Sequence, residues 1–503
     1  MMDLKKQASY RISLILVFFL TSCSLAMCQT PKINVNWNQV LRESKTTPTL
    51  QVVVNPPLRQ GSKIHDKAFE ALRKLQCDYV RYVPWLPYPK LGVAELKPPE
   101  NDQTYWDFSL IDPMTEDFME ATKGHSTVLN FSTIPEWMFK TDQPVSYPED
   151  PNKPVWNYEQ GTKLRDTTMT EVAHYYARLL SWYTQGGFTD ELGNYHKSGH
   201  HYSIPYWEVL NEPDLEHHFS PESYTRLYDK VVESMKKVSP ETKFGGISLA
   251  GPSNHPRFFE YFLNPGHHKS GVPVDFITYH FYAIGRMQEP TAVWQHSFFD
   301  QADKFLTTVR YIEAIRKRLS PDTKTFINEI GSILSTDFGQ GNSNYNFSSI
   351  PESYWNLSGA LYAYLYGQLS HMGIDVAGES QLVGYPTQFP SVSLLDWETG
   401  APNARYKVLQ LIHNHFGPGD QIVRSGSTLW VYSFAVKSQT GKQQVLLVNR
   451  HNNTSEITIQ GIKGGTVEFV DQQTPKDKAV SSSQLRSNTI TLKGFSVAVV
   501  TVP

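Results

Sequence analysis

Cysteine is nearly absent from this chain: three in 503 residues, two of them in the N-terminal apolar segment (Cys23 and Cys28), so no disulfide framework supports the fold. The remaining one, Cys77, lies in the apolar run Cys77-Asp78-Tyr79-Val80, the setting of a small buried hydrophobe. No excess of one charge is present either. With 46 basic and 49 acidic residues the net charge is −3, which excludes the basic footprint of a nucleic-acid binder and argues for no nucleic-acid partner. Several signatures are missing: H-E-x-x-H and C-x-x-C for metal hydrolysis, G-x-S-x-G for a serine hydrolase, and G-x-G-x-x-G in the first predicted βα turn, Asn55 to Gly61. The histidine pairs His200-His201, His217-His218 and His267-His268 fall in predicted loops, where solvated imidazole is the ordinary state, so neither a metal nor a cofactor is expected.

The N-terminus has the pattern of an export signal. Lys5, Lys6 and Arg11 precede the apolar run Ile12 to Leu20, which is too short for a comfortable membrane span, and small residues follow at Ser22, Ser24 and Ala26. Leu20-Thr21-Ser22-Cys23 resembles a bacterial lipobox that would leave Cys23 as a lipid anchor; a simple cut near Ala26 or Cys28 is equally open. Residues 1–28 are therefore read as a targeting segment and the protein as extracytoplasmic.

From residue 49 to 416, β-rich runs alternate with amphipathic stretches. The runs are Thr49–Asn55, Tyr79–Trp85, Ser126–Ser132, Ile204–Leu210, Phe244–Leu249, Phe276–Tyr282, Thr325–Glu329 and Ile374–Gly378. Eight such units predict an α/β fold, a (β/α)8 TIM barrel spanning residues 31–417 with a short N-terminal segment. Helices are expected over Ser220–Val238, Asp300–Leu319 and Pro351–Leu369. Beyond residue 418 short strands separated by Gly, Asn and Ser predict a C-terminal β-sandwich, 418–503, which a strand from Ile33 to Trp37 could complete.

Chemistry concentrates at predicted strand ends. In Trp207-Glu208-Val209-Leu210-Asn211-Glu212-Pro213-Asp214, Pro213 stops the fourth strand because it has no N–H for a ladder, and this puts Asn211 and Glu212 at the barrel mouth. The seventh strand ends in a second carboxyl, Glu329. Two carboxyls facing each other across a barrel mouth suit glycoside hydrolysis, in which one protonates the leaving oxygen and the other attacks the anomeric carbon.

Asn-Glu-Pro on strand four with a lone Glu on strand seven resembles the clan of retaining (β/α)8 glycosidases. Tyr79-Val80-Arg81-Tyr82, Tyr105 to Asp112, Pro135-Glu136-Trp137-Met138 and Asp275 to Tyr282 narrow the likeness to glycoside hydrolase family 39, the family of β-xylosidases and α-L-iduronidases. The resemblance implies Glu212 as general acid/base and Glu329 as nucleophile. It implies Asn211 as a donor to the sugar 2-hydroxyl, Arg81 beneath the nucleophile, Tyr282 bonded to the nucleophile, and His280 lining the site of the sugar that is released. Two departures stand out: Val83 occupies a position where the family commonly has His, and Gly378-Glu379-Ser380-Gln381 replaces its usual acidic pair, leaving Glu379 as a candidate for sugar hydroxyls. Trp137, Trp207 and Trp397 are candidate stacking platforms. The expected partner is a carbohydrate from a plant or algal polysaccharide, an oligosaccharide or a glycosaminoglycan. Another retaining glycosidase of the clan, arabinofuranosidase-like or endo-acting, and a non-catalytic sugar-binding barrel remain as alternatives.

Overall fold

The computed structural model describes residues 30–141, 147–156, 161–338, 346–475, 478 and 480–502. The targeting segment and Cys23 lie outside the described residues, among which no helix is long and apolar enough to cross a membrane. All eight predicted runs form strands: β2 (Thr47–Val53), β3 (Val80–Val83), β4 (Thr127–Leu129), β7 (Tyr206–Val209), β8 (Lys243–Leu249), β9 (Phe276–Gly285), β10 (Lys324–Leu334) and β11 (Val376–Glu379). They pair in parallel and close on themselves, β11 joining β2 through Val376 opposite Thr47 and Glu379 opposite Leu50. A small hairpin, β5 (Gly187–Thr189) with β6 (Tyr195–Lys197), stands apart from the barrel. Helices follow the strands, among them Pro221–Val238, where the Ser220 hydroxyl accepts from Ser223 N–H and Pro221 takes the first helical position.

Alternation along each strand sorts side chains between the barrel interior and the helix layer. The interior has three levels. The lowest is apolar: Tyr79, Val128, Tyr206, Phe276, Phe326 and Val376, one from each of six strands, form a closed cluster with Phe276 stacked on Phe326 at 4.7 Å. Two residues further along those strands stand Arg81, Asn130, Glu208, Thr278 and Asn328, all buried. Above them, at the strand ends, are Asn211, Glu212, His280, Tyr282, Glu329 and Ser380. The out-of-phase residues Trp207, Val209, Ile277 and Ile327 pack into the surrounding core.

The second unit is a nine-stranded sheet. The segment β1 (Lys32–Glu43), which contains the Ile33–Trp37 strand offered from the sequence to complete the C-terminal unit, does pair into this sheet, although the expected barrel bounds 31–417 include it: Val35 lies opposite Ser425 of β12 (Gln421–Ser425), and Lys32 opposite Thr458 of β15 (Ser455–Gln460). Register shifts between Asn36 and Val40 and between Val40 and Arg42 let one strand serve both neighbours. The continuous apolar runs are explained by burial on both faces. In β13 (Val431–Lys437) and β14 (Gln443–Asn449), Phe434, Val436, Leu446 and Val448 join the barrel core, while Val431, Ala435, Val445 and Leu447 fill the sheet's own core. Cys77 is buried, as expected, and burial raises its thiol pKa.

Candidate active site

Arg81 organises the floor of the barrel mouth. Its Nε donates to Glu208 Oε2 at 2.6 Å, Nη1 to Gln51 Oε1 at 2.7 Å and to Glu329 Oε1 at 2.5 Å, and Nη2 to Asn211 Oδ1 at 2.7 Å and Ser248 Oγ at 3.1 Å. The guanidinium is thus fully engaged while almost inaccessible to solvent. Glu208 is completed by Asn328 Nδ2 at 2.8 Å and by Asn130 Nδ2. A buried charge pair persists only when its remaining lone pairs are satisfied in this way.

Glu329 is held from two sides. Arg81 takes Oε1, and Tyr282 Oη stands 2.6 Å from Oε2 and 2.6 Å from Ser380 Oγ, which in turn accepts from Gln51 Nε2 at 2.5 Å. The phenol has one proton to give, and the carboxylate is the stronger acceptor. The strand does not end at Glu329, where the sequence pattern places its end; β10 runs on beside β9, from Gly331 opposite Tyr282 to Leu334 opposite Gly285. A register shift between Phe326 and Glu329 turns the carboxyl into the mouth instead.

Glu212 stands three residues beyond β7. Leu210 and Glu212 have φ of 61° and 41°, left-handed values that bulky residues avoid, so the backbone is strained on both sides of Asn211. His280 lies between the two carboxyls: Nδ1 is 2.7 Å from Glu212 Oε1, and Nε2 is 2.9 Å from Ser248 Oγ and 3.4 Å from Glu329 Oε1. One oxygen from each glutamate and a ring nitrogen of His280 all lie within 4.8 Å of one another. Asn211 Nδ2 donates to Glu216 Oε1 at 2.8 Å, and that oxygen also accepts from Trp85 Nε1 at 2.7 Å.

The surroundings drive the proton affinities of these carboxyls apart. Burial raises Glu212; the bond and charge of His280 oppose this, but the negative charges of Glu329 and Asp214 add to it, and the net shift is upward. Burial also pushes Glu329 up, yet the charges of His280 and Arg81 and the bonds from Tyr282 and Arg81 outweigh it, leaving it below the ordinary carboxylate value. His280 is raised: burial lowers it, but the charge of Glu329 and the bond to Glu212 prevail. Glu216 is raised well above the ordinary range by burial and by the charge of Glu212.

These groups face a cavity of about 630 Å³ with a polar floor of Gln51, Asn211, Glu212, Glu216, Tyr282, Glu329, Ser380 and Gln381. Five of the sequence candidates, Arg81, Asn211, His280, Tyr282 and Glu329, converge with Glu212. Two differ in place. His280 has no exposed side-chain surface and sits behind the carboxyls instead of lining the cavity. Glu379 is turned away altogether: its Oε1 accepts from Arg405 Nε at 2.9 Å, both side chains are sealed from solvent, and burial pushes its pKa up to about 7 against the pull of Arg405. The alternation of β11 explains this, since Ser380, one residue on, takes the inward position.

The three tryptophans proposed as platforms also lie elsewhere. Trp207 is buried in the core against Phe131, Trp397 packs edge-on to Phe347, and Trp137 donates to Glu95 O beneath the Arg165 guanidinium. The aromatic wall of the cavity consists of Trp85, Trp156, Phe338 and Phe389. Glu208, Gln51, Ser248, Ser380 and Glu216 were missed. Glu208 had a signal, a charge between Trp207 and Val209 in phase with Tyr206, which can only point inward and must be paired. Glu216 had none, because a loop carries no period.

Comparison with known proteins follows this geometry. Residues 197–337 match the family model of glycosyl hydrolases family 39. Among solved structures, the chain is similar to a family 51 α-L-arabinofuranosidase, AbfB, from Bifidobacterium longum (TM-score 0.63, 15% identity, 94% of this chain and 100% of that one covered). It is also similar to a glucosidase from Croceicoccus marinus (0.59, 14%, 94% and 99%) and a GH30 endoxylanase from Clostridium papyrosolvens C71 (0.55, 13%, 94% and 99%). At these identities the structural likeness establishes the barrel fold. The family match covers the segment that carries Asn211, Glu212, His280, Tyr282 and Glu329, so it bears out the resemblance to glycoside hydrolase family 39, and the protein is a glycosidase.

Proposed function

We propose that the protein is a retaining glycosidase that releases a neutral, xylose- or arabinose-like sugar by double displacement, with Glu212 as acid/base and Glu329 as nucleophile. The observation that carries the reading is the close pair of carboxyls with opposite shifts, Glu212 raised and Glu329 lowered. A separation near 5 Å suits direct attack, whereas inversion needs roughly 6.5–9.5 Å to admit a water between carboxyl and sugar. Glu329 attacks the anomeric carbon as Glu212 gives its proton to the leaving oxygen; Glu212, now ionised, then takes a proton from the water that cleaves the glycosyl ester. Asn211, fixed through Oδ1 by Arg81 and Ser248, keeps one N–H for the 2-hydroxyl. An iduronate-like substrate is disfavoured. The described lining holds three carboxyls, Glu212, Glu216 and Glu329, and no lysine or arginine, and Arg81 beneath it has no donor to spare for a uronate. Action outside the cytoplasm is part of the proposal, supported by the basic, apolar and small-residue succession of residues 5–26.

The test is chemical rescue on an aryl glycoside with an activated leaving group. Glu329→Gln is expected to abolish turnover, with no recovery in azide; Glu212→Ala is expected to regain turnover in azide and release a glycosyl azide of retained configuration. Full activity in Glu329→Gln, or an inverted product, refutes the assignment.

A further inference from the structure

The cavity has two chemically distinct levels. The floor carries the polar groups described above. The rim above it is built from Trp85, Trp156, Leu215, Ile284, Phe338 and Phe389, each from the loop or strand extension at the end of a different barrel strand. The rim's polar atoms are already in use: Trp85 Nε1 donates to Glu216, and Trp156 Nε1 donates to Thr387 O at 3.0 Å. Its aromatic rings hold one another, Trp85 with Trp156 at 5.6 Å, Trp156 with Phe389 at 5.8 Å and Phe389 with Phe338 at 6.0 Å. Phe338 is pinned through its neighbour Asp337, whose Oδ2 accepts from Ser391 N–H at 2.9 Å and Ser391 Oγ at 2.6 Å. Leu215, Phe338 and Ile284 nonetheless leave 58%, 51% and 46% of their surface in solvent, in one contiguous ring around a catalytic mouth. Exposed apolar surface concentrated at a cavity opening marks a surface that binds something apolar.

We propose that this rim is the leaving-group subsite and that it selects an apolar aglycone, an alkyl or aryl group, over a second sugar. The inference rests on the proposed glycosidase reading, which places the released sugar on the polar floor and whatever is attached to it against the rim. Glu212, the proton donor to the leaving oxygen, is three residues from Leu215, so the departing group passes that side chain. A second sugar would bring several hydroxyls to rim side chains that, among the described residues, have no free donor or acceptor, and unpaired hydroxyls taken from water are penalised. A chain of methylenes meets no such penalty and removes the rim's apolar surface from water.

Three substrates with one glycone, the one that an aryl-glycoside panel identifies, decide the matter: its methyl glycoside, its hexyl glycoside and its (1→4)-linked disaccharide. The two alkyl alcohols leave with similar basicity, so their difference reports binding. kcat/KM for the hexyl glycoside is expected to exceed that for the methyl glycoside about 10–100-fold, as expected for partial burial of five methylenes, with the disaccharide close to the methyl level. Leu215→Asn combined with Phe338→Asn, both on exposed side chains, is expected to bring the hexyl-to-methyl ratio down about 5–10-fold. A disaccharide better than the hexyl glycoside, or equal rates for hexyl and methyl, overturns the aglycone proposal and leaves the glycosidase reading standing. Failure of all three, together with the aryl panel, overturns the glycosidase reading itself.

Discussion

Tyr282→Phe removes one hydroxyl and leaves the ring, which makes it the cleanest probe of how Glu329 is kept ionised. The phenol stands 2.6 Å from Glu329 Oε2 on the largely buried floor of the cavity. A hydrogen bond to a charged group contributes about 1.5–3 kcal/mol, and about 1.4 kcal/mol corresponds to one unit of pKa. The variant's Glu329 is therefore expected to titrate about one to two units higher than in the wild type. In the proposed mechanism Glu329 attacks only when ionised, so the acid limb of kcat/KM against pH, followed with an aryl glycoside, is expected to move toward neutral pH by that amount. Stability gives an independent reading. A carboxyl whose folded pKa is depressed stabilises the fold above its unfolded pKa near 4.5, and this contribution is lost as pH falls through the folded value. The variant is thus expected to be less stable than the wild type at pH 7, with the difference closing in strong acid. An acid limb that keeps its position while the whole profile merely drops would refute the reasoning.

Arg81→Met is expected to destabilise the protein by about 3–5 kcal/mol in urea titrations, because Glu208 and Glu329 lose their shared cation while still buried. Glu216→Gln, which keeps an acceptor for Asn211 and Trp85, should retain most activity, whereas Glu216→Ala should cost about 10-fold or more in kcat/KM by freeing the Asn211 amide; equal loss in both would show that the carboxyl itself is required. Glu379→Gln should leave KM for an aryl glycoside unchanged, since Arg405 and not the cavity faces that carboxyl.

The barrel was legible because its strands are short, apolar runs separated by amphipathic stretches, and periodicity reports such runs directly. The meeting of Glu212 and Glu329 at the mouth was legible because Pro213 and the apolar stretch before Glu329 mark where strands reach it. Whatever depended on phase across a bulge or on a loop was not. Glu379 and Ser380 are neighbours, and only the inward turn of Ser380 decides which of them meets the substrate level. Trp85 and Trp156 line the cavity from loops, whereas Trp207, in the middle of a strand, points out to the helices by the same alternation that points Glu208 in. The place of β1 was legible only in outline: the β-rich run Ile33 to Trp37 could be offered to the C-terminal unit, but its particular neighbours, about 390 and 425 residues later in the chain, could not be read from a local pattern.

The division of labour between the two glutamates comes down to which of them reaches Arg81. Both are largely withdrawn from solvent, both approach His280, and each is near the other's charge, so those influences alone would leave them alike. The imidazole in fact favours ionisation of both. Arg81, rising from the second barrel strand, reaches Glu329 across the floor but meets the other side only through the neutral Asn211. Glu212 has no guanidinium, and its remaining charged neighbour, Asp214, is a carboxyl that discourages its ionisation. One arginine position therefore sets the polarity of the site: it favours a charged Glu329, leaves Glu212 the higher proton affinity that the proposed acid role needs, and fixes through Asn211 the amide that lies between them. Moving that cation to the Glu212 side, and not merely deleting it, is the change that would exchange the two roles.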